Sequence, residues 1–154
     1  MATTANNIAL DLVSTSAQTP LGKVVEQYVA NQGTEEWVYI QNASGAAWAV
    51  ADVISGAASS NFTGALSPVA TTPRRVRGIV VTAIPDGSFG WIKKRGVVSI
   101  RNGTAAAIVA LDGLMVDTAV PGRAAAAGIA GMAFGHAITA AAAGAVFTGF
   151  VSCE

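Results

Sequence analysis

The stretch RVRGIVVTAIPDGSFGWIKKRGVVSIRNGTAAAIVALDGLMVD, residues Arg75–Asp117, decides how this chain folds. Its apolar residues are mostly β-branched or aromatic, and they come in short runs bounded by turn chemistry. Arg75–Ile84 reads as a strand, and Pro85-Asp86-Gly87 is a turn signal. Ser88–Lys94 and Val97–Arg101 read as two more strands, interrupted near Gly96. Asn102-Gly103 is the strongest short hairpin signal in the chain, with Ala105–Leu111 following it as a strand. Asp112-Gly113 then makes a turn into Leu114–Asp117. Turns recurring this closely predict an all-β domain, a small antiparallel β-sandwich or barrel-like fold.

Upstream, Glu36–Gln41 is a strand, and Ala46–Ile54 reads as another anchored by Trp48 and Val50. Residues 20–31 carry two patterns. Leu21, Val24, Val25, Tyr28 and Val29 fall at helical spacing behind Thr19-Pro20, yet the segment is β-branched and runs into the Asn31-Gln32-Gly33 turn. Residues 55–73 are rich in Gly, Ser, Asn, Pro and Thr and read as loop. Residues 1–19, rich in Ala, Thr, Ser and Asn, read as a flexible N-terminal arm preceding a single β-rich domain over 20–154. Downstream, Pro121-Gly122 is a turn, and Ile129–Thr139 and Ala145–Ser152 read as closing strands.

Composition narrows the function. The 154 residues include 32 Ala and 17 Gly but only six Leu, four Glu and three Lys, too few of the good helix formers for a helical bundle. Charged residues make up 12% against about 25% in ordinary soluble domains, which suits a surface covered by other protein. A net charge of zero does not suit a general nucleic-acid binder. The charges are nevertheless segregated. Arg74, Arg75, Arg77, Lys93, Lys94, Arg95 and Arg101 form a basic band between two acidic ends. Such a band registers neighbouring subunits or keeps a sheet edge solvated. Trp91 beside Lys93-Lys94-Arg95 is the one hint of base stacking, and a single aromatic is thin support for it.

Signals for chemistry are sparse. His136 is the one histidine, Cys153 the one cysteine, and two such residues make no metal cluster. There is no nucleophile elbow, phosphate loop or dinucleotide fingerprint. Glu35-Glu36 are adjacent, and neighbours on a strand point to opposite faces. The expectation is therefore no enzyme, no cofactor and no metal. The start MATTANNIALDLV lacks the pattern of a signal peptide, and the Asn42, Asn61 and Asn102 glycosylation triplets mean little without secretion. The uncharged stretch 124–153 is Ala/Gly-rich, lacks Leu and contains His136, so it reads as buried small-residue strands and not as a membrane span.

A set of short modules resembles the head decoration, or cement, proteins of tailed bacteriophages. Glu36–Asn42 with Gly45-Ala-Ala-Trp48 resembles their early hairpin. Gly78–Pro85, Gly87-Ser-Phe-Gly-Trp-Ile92 and Arg95-Gly-Val-Val98 resemble their aromatic-Gly-Trp strand and the valine-rich strand after it. Asp112–Val116 with Thr118–Arg123, then Gly135–Ile138 with Ala140–Gly144 and Val146–Val151, resemble the later segments. The basic clusters and the bland Ala124–Ala127 depart from that pattern. The resemblance implies β structure near residue 20, favouring a hairpin over 22–41. It implies a virion protein made in the host cytoplasm that binds the outer surface of the expanded capsid and bridges major capsid protein subunits against DNA pressure. It further implies a homotrimer, with a dimer as the alternative, and no nucleic-acid or membrane partner. Candidate contacts are Thr3, Thr4, Asn6, Asn7, Arg74, Arg75, Arg77, Trp91, Lys93, Lys94 and Arg95. Two alternatives stand beside it: another β-type virion part, such as a head-fibre base, neck or tail protein, or a glycan- or nucleic-acid-binding module.

Overall fold

A computed structural model describes residues 8–57, 60–66, 75–103, 105–127 and 133–153. The described residues form ten strands and no helix: β1 (Val24–Val29), β2 (Gly33–Asn42), β3 (Val53–Ala57), β4 (Ser60–Leu66), β5 (Val76–Val80), β6 (Phe89–Arg101), β7 (Gly113–Val116), β8 (Ala124–Ala126), β9 (Gly135–Ala137) and β10 (Val146–Ser152). The all-β expectation holds. So does the hairpin: β1 and β2 pair antiparallel from Val29↔Gly33 to Val24↔Val38, around a turn with Asn31 at φ 67. The helical spacing of residues 21–29 is a coincidence of the β-branched content. Val25 turns inward while Val24 and Tyr28 stay exposed.

Five strands pair in a closed cycle, β2–β4–β3–β5–β6 and back to β2, with β2–β4 parallel and the rest antiparallel. Closing the sheet removes most of its exposed edges. The cycle encloses Val38, Ile40, Trp48, Ile54, Val80, Ile84 and Ile92. The C-terminal half repeats this plan. The second half of β6 pairs with β10, β10 with β9, β9 with β7, β7 with β8, and the parallel bridge Asn102↔Ala124 closes the ring. Its interior holds Val98, Ile100, Ile108, Leu114, Ala137 and Phe147.

The two rings correspond residue by residue. Asn42↔Gly64 matches Asn102↔Ala124, and Ile54↔Gly78 matches Leu114↔Gly135. Val80↔Ile92 matches Ala137↔Gly149, and Gln41↔Phe89 matches Arg101↔Val146. The turn chemistry repeats as well. Asn42 Nδ2 donates to the carbonyls of Ala46 and Ile84 (both 2.8 Å), and Asn102 Nδ2 donates to those of Ala106 (2.8 Å) and Ala142 (3.1 Å). Asp52 Oδ2 accepts from the Ala49 amide and Asp112 Oδ2 from the Val109 amide, each beside a left-handed residue, Ala51 (φ 73) and Leu111 (φ 75). The chain is thus a tandem duplication in which the 13-residue β6 closes the first unit and opens the second.

Several expected elements move. Ser88–Lys94 and Val97–Arg101 are one strand, because Gly96 takes φ 124 without breaking the ladder. Asn102-Gly103 does not turn a hairpin. The Asn102 side chain pins the following loop, so residues 105–111 contribute only the Ile108↔Ala141 bridge. Residues 46–54 are likewise a pinned turn around Trp48↔Ile84, with the strand starting at Val53. Within the expected loop 55–73 lies β4, and β9 is shorter than the strand expected over 129–139, of which residues 129–132 fall outside the described residues. Of the expected arm, residues 1–7 lie outside the described residues, while 8–19 lie along the first unit. Ile8 and Leu10 pack on Trp37, Tyr39 and Trp91, and Ser14 exchanges two backbone hydrogen bonds with Phe89 (3.0 and 2.8 Å). No helix among the described residues is long and apolar enough to cross a membrane; 124–153 contributes β8, β9 and β10 instead.

Candidate partner-binding surface

The basic band is built on β5 and β6, and the structure splits it. Lys93 is buried. Its Nζ lies 2.7 Å from Glu35 Oε1, donates to the Val97 carbonyl (2.9 Å) and sits 4.7 Å from the Trp37 ring centroid. Trp91 is buried against Tyr39, with ring centroids 5.1 Å apart. Alternation along β6 turns Trp91 and Lys93 toward the face that β1 and the N-terminal segment cover. Of the candidate contacts, these two therefore lie beneath the surface, enclosed by the chain's own residues. Lys94 and the exposed Arg95 remain near solvent and share Glu36, at 3.5 and 3.4 Å. Glu35 and Glu36 thus face opposite ways, each answering a different part of the band. Part of the charge segregation is satisfied inside the chain. The Glu36 pairs are worth little, because solvent screens them. On β5, Arg75 is exposed and Arg77 half-buried. Thr3, Thr4, Asn6, Asn7 and Arg74 lie outside the described residues.

A second polar node joins the units. Asp52 is buried, accepts from the Ala49 amide and lies 3.9 Å from Arg123. Burial pushes its carboxyl above the ordinary 3.8, against the opposing pull of that amide, Arg123 and Arg101. Burial, with Arg101 close by, lowers Arg123. The Arg101 amide donates to the Ala51 carbonyl (3.1 Å), so the node serves to dock one unit on the other.

The two residues that chemistry would call on are far apart in character. Cys153 is buried in the second core, and burial raises its thiol to about 12, which keeps it protonated and unreactive at neutral pH. His136 is exposed and stacks on Phe150, with ring centroids 5.6 Å apart. No group of three or more His, Cys, Asp or Glu among the described residues could hold a metal ion.

The surface offers two further features, a mixed cleft and a set of exposed apolar residues. A cleft of about 800 Å³ runs between Ile8–Asp11, Lys23–Gln27 of the first hairpin, Trp37 and Val81-Thr82. On the second unit Val109, Leu111, Ile138 and Val146 are each exposed. Charge and motif reasoning did not reach this second group. Its signal was the repeated spacing Gly78-x-x-x-Thr82-Ala83-x-x-x-Gly87 and Gly135-x-x-x-Thr139-Ala140-x-x-x-Gly144, which aligns Ile138 with Val81 and Val146 with Phe89.

Such an architecture, two fused β-rings with exposed apolar residues, defines a class of small all-β domain. Among solved structures, the fold is similar to the N base of the head fibre protein gp8.5 of bacteriophage phi29. The TM-score is 0.55 at 15% sequence identity, covering 75% of this chain and 94% of that one. No protein-family model matches the chain, and no curated protein does.

Proposed function

We propose that the chain is a structural, non-catalytic protein of a tailed-bacteriophage virion, mounted on the outside of the head in the manner of a fibre base. The observation that carries this reading is the fold likeness to a head-fibre base across nearly all of that domain. The sequence resemblance to head decoration proteins points to the same particle surface. The likeness in fold favours the fibre-base alternative over the cement reading.

In either role the protein acts by binding. A ligand that binds only the assembled shell shifts the equilibrium toward it, and many copies on one particle act together. The major capsid protein is the partner in this reading, and a homotrimer is the assembly. Contacts come from Arg75, Arg77, Lys94, Arg95 and the exposed apolar residues, with Trp91 and Lys93 supporting them from inside. Cryo-electron microscopy of the particle tests it. A fibre base shows density for this fold at the foot of a projection from the head. A thin layer at every equivalent lattice position returns the role to cement. Density confined to the tail, or absence from the particle, overturns the proposal.

A further inference from the structure

We infer that the outer face of the second unit is a docking strip for an extended segment of another polypeptide, apolar at alternate positions. It would bind as the chain's own residues 8–18 bind the first unit. The inference rests on the correspondence between the units and not on the virion reading. On the first unit, Ser14 makes both backbone hydrogen bonds with Phe89, while Ile8 and Leu10, like Val81 and Phe89, pack against the cluster of Trp37, Tyr39 and Trp91. The Gln18 amide then donates to the Tyr39 hydroxyl (3.1 Å). The counterparts on the second unit are bare: Val146 stands for Phe89 and is 51% exposed, and Ile138 stands for Val81 and is 42% exposed.

Because β10 pairs with β6 in the register that β6 uses with β2, the amide and carbonyl of Val146 point out of the sheet. No described residue bridges them. A segment bound there recovers two hydrogen bonds and covers apolar surface, the recipe of strand addition. Ser99 and Thr148 stand where the first unit has Tyr39 and Trp91, which leaves room for larger side chains on the incoming segment.

The test uses a synthetic peptide of residues 8–18 titrated into the isotopically labelled full chain, read by NMR. Saturable shifts at Ile138 and Val146 are expected, with affinity falling by roughly tenfold or more in Ile138→Asp, whose circular dichroism stays unchanged. A second variant, Val146→Pro, removes the amide donor and weakens binding similarly. No saturable response, or shifts confined to Trp37, Val81 and Phe89, overturns the inference. So does a concentration-dependent dimer of the chain alone that Ile138→Asp abolishes, which would make a folded second copy the occupant.

Discussion

The two units share register, turn pins and left-handed positions, yet they fill their interiors by different means. The first places Trp48 at the centre and yields space elsewhere with Gly64 and Gly90; the second has Ile108 at the centre, with Ala124 and Phe147 at those positions and Gly149 in place of Ile92. A Cβ on Gly64 would come within 2.6 Å of Trp48, 2.8 Å of Ile54 and 2.9 Å of Ile40. One on Gly149 would come within 2.8 Å of Ile100. The difference teaches that the backbone plan tolerates wholesale exchange of core residues as long as total volume is conserved.

The polar fittings diverge in the same way. Lys93, paired with Glu35, occupies the position that Phe150 holds beside His136 in the second unit. Counterpart positions also differ in what covers them. The first unit is capped by the N-terminal segment on one side and by the second unit on the other, and the second unit lacks both coverings among the described residues. In tandem architectures each repeat leans on its neighbours, and the terminal one presents the surface its neighbour would have buried.

The strongest way to break the comparison is Trp48→Ala, expected to cost about 3–5 kcal/mol from cavity formation. Urea unfolding followed by tryptophan fluorescence and by circular dichroism should still show one transition, because β6 belongs to both rings. Two separated transitions would mean that the units fold independently. Glu35→Ala leaves the Lys93 ammonium buried without its partner and should cost about 3 kcal/mol. Adding Lys93→Phe, the side-chain type of the second unit, should recover most of that loss in thermal melts; no recovery would show that the two solutions do not interchange.

Gly64→Ala should cost about 1–3 kcal/mol through overpacking. The double variant Gly64→Ala with Trp48→Ile, which imports the pairing of Ala124 with Ile108, should lose less than the sum of its single changes. Strict additivity would disprove the volume exchange. Leu111→Gly relieves a left-handed backbone at an exposed site, so denaturant midpoints should rise by a gain of up to about 1 kcal/mol.

The smallest effect concerns Asp52. Its folded carboxyl titrates above the ordinary 3.8, so the folded state holds its proton longer than the unfolded chain does. This group therefore lowers stability as pH rises through the window just above 3.8. Asp52→Asn should flatten that part of the stability–pH profile, measured by thermal melts at closely spaced pH values.

Much of the fold was legible in the sequence, because turn chemistry and β-branched runs are local. The first hairpin, β7 and β10 fall where the pattern puts them. The pinned turns were misread because Asn102-Gly103 looks the same whether its asparagine turns a hairpin or reaches across to Ala142. That reach is tertiary and leaves no local trace. The duplication was present as paired Asn, Asp and Gly spacings, but its core residues had been exchanged large for small, which hides it from a reading by hydrophobic pattern. The charge band was visible as composition. Only the fold shows that Glu35 and Glu36 already answer Lys93, Lys94 and Arg95, and that Trp91 is interior.

The shared strand has one more consequence. Two domains joined by a linker respond to tension in turn, the linker straightening before either core feels strain. Here a pull entering through one ring passes along the continuous backbone of β6 directly into the other, with β2 and β10 gripping it laterally at either end. Separating the rings means shearing rows of hydrogen bonds together, not unzipping them singly. The molecule is mechanically a splice instead of a hinge.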